Sequence, residues 1–325
     1  MATPRPLHSF LGGLGLALPV HALLLLNGSV FGISGFLHRA FRGSIEAIAS
    51  DVGLLLGGVF AGLKEENEPQ LPIFPMTTFP QLILSGLLVG VGTKGRAGGN
   101  SIHMLAGIAR FSARSIAATV TFFSTGVITA RNLHGNVPTT GESLDWSLDS
   151  TGRDLLAFQA APLIISALLY IFAPRQPRNQ FTQGFPQLRL IASFVTGFQF
   201  ALALCLSNLT ETTKVIYFLL LPFHKAFDPS LAFLAFGALP MAVVMYQFAR
   251  GSEQPRLGGR WFVPEDGAID KRLLVGSALF GIGWGLSGYC PGPGIVNLGR
   301  ALGSGSDPLP TIVWLMSVVA GGFMV

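Results

Sequence analysis

The chain has 325 residues, of which 50% are apolar types and only 11% are Asp, Glu, Lys or Arg, against roughly 25% charged residues in an ordinary soluble domain. With 41 glycines and a mean hydropathy of +0.56, so few charges cannot cover the surface of a soluble fold. The net charge of +5 is spread singly, which excludes the basic stripe of a nucleic-acid binder, and two cysteines, Cys205 and Cys290, exclude a disulfide scaffold and an all-cysteine zinc site.

The composition is that of a polytopic membrane protein, in which a helix needs about 20 apolar residues to cross the hydrocarbon core. Residues 7–26 are the first candidate span. Only Arg5 precedes it and Asn27 leads straight into a glycine-rich turn, so it reads as retained and not as a signal peptide. The next span is 44–63. A short apolar run, 79–92, then meets the polar break Thr93-Lys94-Gly95-Arg96-Ala97-Gly98-Gly99-Asn100 and continues as a second short run, 101–109. Spans are expected at 115–130 and 155–173. The run 188–207 is broken by 208–214 and followed by the half-length segment 215–223. After a span at 229–248, the run 273–287 enters Gly288-Tyr289-Cys290-Pro291-Gly292-Pro293-Gly294 and resumes at 295–302; the last span is 309–325. Backbone freed at such breaks must be buried in protein or line a water-filled path, because lipid offers no hydrogen-bond partner.

Loop charge gives an orientation. Loops 36–43, 109–114, 174–189 and 249–272 hold most of the Lys and Arg, whereas 64–78 and 131–154 are acidic, with Glu65, Glu66, Glu68, Glu142, Asp145, Asp149 and Asp154. The positive-inside rule then places the N-terminus outside and the C-terminus inside, provided that each broken element crosses once, net.

The broken elements repeat. Gly86-x-x-x-Gly90-x-Gly92 ahead of one break is matched by Gly281-x-Gly283-x-Gly285-x-x-Gly288 ahead of another, with further copies at Gly12-Gly13-x-Gly15 and Gly197. Any one such pattern serves close helix packing; interrupted helices in matching positions are the pattern of a transporter with its solute site between repeats. The expectation is an all-α polytopic membrane protein: an inverted-repeat bundle whose re-entrant half-helices meet at the membrane centre. Residues 1–144 form one half, 145–189 a connection with one transmembrane helix, and 190–325 the other half.

Cys290 stands just before Pro291, and proline favours the first turn of a helix. The thiol is thus expected at a helix N-terminus, beside unpaired amide donors and a positive dipole end that attract anions. Cys205, mid-helix, reads as packing. Lys214 lies inside a broken helix, where it either faces an anion path or snorkels to the interface. The glycosylation-like Asn27-Gly28-Ser29 and Asn208-Leu209-Thr210 lie at expected membrane depth. No HExxH, nucleophile elbow or Walker A sequence offers a seat for hydrolysis, metal chemistry or direct ATP use, so neither an enzyme nor a cofactor is expected.

These residues resemble a family. Gly281–Gly294 is similar to the C-terminal motif of the YeeE/YedE membrane proteins, transporters of thiosulfate and related sulfur compounds. Gly90-Val91-Gly92-Thr93 followed by Ser101, His103, Gly107 and Arg110 resembles that family's N-half motif, Asn27–Gly35 its first buried loop, and Ser207-Asn208-x-Thr210 with Lys214 its third. In some members the halves are separate proteins; here they look fused. The resemblance implies thiosulfate moving through a central pathway along a row of thiols, here past Cys290, Gly288, Gly292, Gly99, Asn100, Ser101, His103, Ser34, Gly35, Asn208 and Lys214. It also implies a cytoplasmic sulfur-carrier protein as a partner and a plasma or inner membrane as the location. The family's central N-half cysteine falls on Gly99 and its second on Ala106, with Asn100, Ser101 and His103 as replacement polar groups. Beside transport, two readings stay open: a non-transporting scaffold or sensor that lost the thiol row, and a membrane thiol protein that carries sulfur as a Cys290 persulfide.

Overall fold

The computed structural model describes residues 3–64, 77–94, 103–139, 143–173, 185–251, 253–263 and 268–325. Among them the protein is helical: α1 (Pro6–Asn27), α2 (Ile33–Phe41), α3 (Ile45–Lys64), α4 (Phe79–Lys94), a π-helical turn (His103–Gly107), α5 (Ala113–His134), α6 (Ser150–Phe158), α7 (Ala160–Phe172), α8 (Pro186–Leu206), α9 (Thr212–Leu219), α10 (Ser230–Ala249), α11 (Lys271–Ser287), α12 (Pro291–Ser304) and α13 (Leu309–Phe323). Local chemistry sets several ends. Ser112, Asp149 and Asp270 accept from the amides of Ser115, Gly152 and Leu273 as N-caps. Prolines open α1, α8, α12 and α13. Gly28, Gly288 and Gly305 close helices in the left-handed conformation.

Among the described residues, six helical segments are long and apolar enough to cross a membrane: α1, α3, α6–α7, α8, α10 and the broken pair α11–α12. The protein is a multi-pass integral membrane protein. Its most exposed side chains include Phe236, Phe248, Ile171 and Phe172, as expected where the solvent is lipid. Three expected spans differ in detail. The one at 155–173 is two helices bent at Gln159, because Pro162 lacks the N–H that would bond back to the Phe158 carbonyl. The one at 309–325 is only the 15-residue α13. The one at 115–130 is the 22-residue α5, whose threonines and terminal basic residues leave it outside the six apolar segments.

Glycine sets the architecture. A Cβ on Gly13 of α1 would fall on the Leu234 carbonyl of α10, and one on Gly197 of α8 on the Ser50 carbonyl of α3; reciprocally, Gly237 of α10 meets Phe10 of α1 and Gly53 of α3 meets Phe194 of α8. So α1 packs on α10 as α8 packs on α3, each pair running parallel with backbones in contact. The second set repeats this. Gly86 and Gly90 of α4 lie against Trp314 and Val318 of α13, and Gly281 and Gly285 of α11 against Phe122 and Gly126 of α5.

The equivalent helices meet each other antiparallel. Ser9, at the start of α1, donates to the Ser207 carbonyl beyond the end of α8 (3.0 Å), while Asn27, at the end of α1, donates to Ser193 near the start of α8 (2.9 Å). Likewise Gly92 of α4 lies against Phe280 of α11, and Gly283 of α11 against Val89 of α4. The contacts of α1, α3, α4 and α5 are thus matched by those of α8, α10, α11 and α13, the pattern expected of an inverted repeat. The α6–α7 segment stands outside this exchange, against α8 and α1.

Candidate functional site

Two breaks come together. After Leu206 the chain leaves α8 through Ser207, whose hydroxyl donates to the Leu204 carbonyl (2.8 Å), and Asn208, a non-glycine residue in the left-handed region at φ 59°. Glu211 then stands at the N-cap of α9, and Lys214 lies in its first turn, only 5% exposed. Glu211 and Asp228 are the opposite charges that act on it most, and Arg5 and Asp149 act on it as well. In the other break, Gly288 ends α11 at φ 71°, and its missing Cβ leaves room for the Thr212 carbonyl. A side chain at 288 would push the two breaks apart.

A buried polar network locks this junction. The Asn297 side-chain amide donates to the Thr210 carbonyl (2.8 Å) and to the Tyr289 hydroxyl (2.9 Å). Arg300 donates to the Thr210 hydroxyl (3.0 Å) and to the Asn297 side-chain oxygen (3.2 Å). Tyr289 is fully buried, its ring 5.2 Å from that of Trp314; the Trp314 indole donates to Ser85 of α4 (2.9 Å). Cys290 follows directly as the extended N-cap of α12, and its carbonyl accepts from Gly294 (2.9 Å). Cys290 as a residue is half-buried, whereas Cys205 is packed in the core.

The structure therefore brings Gly288, Cys290 and Asn208 to one junction; Gly292 follows in the first turn of α12, and Lys214 lies in that of α9, where Glu211, Asp228, Arg5 and Asp149 are the charges that act on it. Ser34 and Gly35 lie elsewhere, on α2, which packs on α3 with His38 3.5 Å from Thr93 of α4. A Cβ on Gly35 would meet nothing within 4 Å among the described residues. The break before α2 is covered by the α10–α11 connection: Arg256, Leu257 and Phe262 donate their amides to the carbonyls of Leu25, Leu26 and Gly28. Arg189 pairs there with Glu46 (2.7 Å) and also donates to the Gly258 carbonyl. Gly99, Asn100 and Ser101 lie outside the described residues, as do the side chains of Ser34 and His103. Among the described residues no group of His, Cys, Asp and Glu could hold a metal ion. Sequence reasoning quoted Thr210 and Tyr289 within its motifs without giving either a role, and it missed Asn297 and Arg300. The signal available was Asn297 and Arg300, spaced for one face of a half-helix that otherwise carries no charge.

Residues 188–324 match the model of a family described as a family of unknown function, DUF6691. A probable transporter of Xylella fastidiosa strain 9a5c is 43% identical over 125 residues, 38% of this chain and 91% of that protein. A second probable transporter of the same strain is 34% identical over 134 residues, 41% of this chain and 87% of its own length. A probable transporter of strain Temecula1 is 42% identical over 125 residues. No solved structure matches the chain. With nearly the whole of each relative covered, the chain belongs to the transporter-like family that they represent.

Proposed function

We propose that the protein carries thiosulfate, or a related small sulfur-containing anion, across the plasma or inner membrane through a central pathway lined by Cys290 and the broken helices. The family supports membrane transport in general. The observation that carries the finer reading is Cys290, a half-buried residue at the N-cap of α12 inside the broken apolar span Lys271–Ser304. Half-helix N-termini at such depth meet anionic solutes with unpaired amides, and a weakly acidic S–H can donate to an oxyanion without fixing it. Asn208, across the junction, and Lys214, in the first turn of α9, add an amide and a positive charge.

In this reading residues 1–144 and 190–325 are the two repeats, with 145–189 as their connection, the N-terminus outside and the C-terminus inside. The protein is not an enzyme and needs no cofactor; a cytoplasmic sulfur-carrier protein receives the solute. Ser34, Gly35, Gly99, Asn100, Ser101 and His103 are further residues of the proposed pathway.

The test is uptake of ³⁵S-thiosulfate by proteoliposomes, wild type against Cys290→Ala. Uptake that falls at least about tenfold in the variant, worth roughly 1.4 kcal/mol at the thiol, supports the reading. No uptake by the wild type overturns it; a persulfide on Cys290 seen by mass spectrometry in that case assigns the thiol to sulfur carriage instead.

A further inference from the structure

Asp51 is a carboxylate that the pathway has not yet used. It lies in the second turn of α3, inside an apolar span, and both of its side-chain oxygens are buried without a hydrogen-bond partner among the described residues. Its place on the helix is informative. Leu55, Gly58 and Gly62 form the stripe by which α3 meets α12, against Gly299, Val296 and Arg300, and Asp51 continues that stripe one turn earlier. Because α3 and α12 run parallel, that turn stands opposite the start of α12, where Cys290 and Gly292 lie.

The charged groups around it can be named element by element. From α2 comes Arg39, whose field acts on Asp51; its Nε donates to the Gly35 carbonyl (3.3 Å) and its guanidinium lies 4.6 Å from the centre of the Phe36 ring. On α3 itself Glu46 is paired with Arg189, the one charged residue of α8. From α12 the titratable group is Cys290, and no charged side chain precedes Arg300, which is turned to Thr210.

We propose that Asp51 is the proton-binding group that couples passage of the anion to movement of a proton. An intramembrane carboxylate without a donor is costly when ionised and marks an ion or proton pathway by default. An ionised Asp51 repels an anion approaching the start of α12 and competes with it for Arg39. Taking one proton from water to give the neutral carboxyl removes both obstacles, and returning it on the far side restores them. Proton binding and anion binding then favour each other, and the coupling is reciprocal. This rests on the reading of the protein as an anion transporter.

Two measurements on the full-length protein in lipid test it. The first is ³⁵S-thiosulfate uptake at clamped membrane potential. Wild type and Asp51→Glu should accumulate solute on the alkaline side, about tenfold per pH unit for one proton per solute. Asp51→Asn should lose that dependence while still exchanging internal for external thiosulfate, which shows it folded. Gradient dependence unchanged in Asp51→Asn, or loss of exchange together with accumulation, overturns the proposal. The second is an infrared pH titration, wild type minus Asp51→Asn, in which a protonated-carboxyl band assigned to Asp51 should be present. Its absence throughout the titration overturns the proton site. If the wild type takes up no thiosulfate, the transport reading falls and the infrared titration still decides whether Asp51 binds a proton.

Discussion

The Asn297 side chain, in the half-helix that follows Cys290, reaches across the junction to the Thr210 carbonyl at 2.8 Å and holds the α8–α9 break against the α11–α12 break. The same amide serves the buried Tyr289 hydroxyl, so replacing Asn297 removes both bonds at once and leaves the buried Thr210 carbonyl without its side-chain donor. Asn297→Leu should destabilise the protein by about 1–3 kcal/mol, the cost of leaving a buried polar group unpaired. Thermal denaturation in mild detergent measures it. Because Tyr289 precedes Cys290 directly, the variant's Cys290 should also be alkylated faster than in the wild type.

Close backbone approach at the glycines makes a second prediction with an internal control. Gly58→Leu would drive a side chain into the Val296 backbone of α12, and Gly90→Leu into that of Val318 in α13. Both should lower the denaturation midpoint strongly, since overpacking typically costs about 1–3 kcal/mol even where side chains can yield. Gly35→Ala meets no atom within 4 Å among the described residues. It should be neutral or stabilising by up to about 1 kcal/mol, because alanine loses less backbone entropy in a helix.

What the sequence made legible follows from range. Pro291 after Cys290, and Gly288 before it, are local signals, and the structure has the N-cap and the left-handed cap at those residues. The repeated Gly86/Gly90 and Gly281/Gly285 spacing likewise corresponds to equivalent helix pairs. Thr210 and Asn297 lie 87 positions apart, and nothing in either segment names the other, so the network between them became visible only with the fold. The bend at Gln159 was readable from Pro162 but hidden by an otherwise uniform apolar run. Asp51 could be read only as a carboxylate near a helix start; its meaning depends on α12 standing opposite.

Acid should reveal the cluster at the start of α1. Asp149 accepts from Arg5 (2.7 Å), from the Gly152 amide (2.6 Å) and from His8 at 3.1 Å. Burial opposes its ionisation, but the Gly152 amide, His8 and Arg5 together hold the carboxyl below its ordinary range. A depressed carboxyl contributes stability that is complete above the unfolded pKa of about 3.9 and is lost as pH falls through the lower folded value. The denaturation midpoint of wild type should therefore exceed that of Asp149→Asn by a constant margin at neutral pH. That margin should shrink only below about pH 4; a difference already fading near pH 6 would contradict it.

The two cysteines should separate by accessibility. Cys290 is half-buried at a helix break, whereas Cys205 is packed within α8. A small methanethiosulfonate reagent should modify Cys290 in the folded protein and spare Cys205 until the protein is unfolded, with mass spectrometry of the peptides as the readout. Thiosulfate in excess should slow modification of Cys290 if the anion occupies the start of α12.

The place of α6–α7 outside the matched contacts has a consequence for how the protein is threaded. The helices before and after it are equivalents that run in opposite directions, and a single crossing is the shortest thread that turns one copy over before the next is made. The two copies then bury their glycine faces mainly on one another, α1 on α10, α3 on α8, α4 on α13 and α5 on α11. Neither copy is a finished body by itself. The junction at Cys290, by contrast, lies within the second copy, between its α8–α9 and α11–α12 breaks, and reaches the first through Trp314 and Ser85.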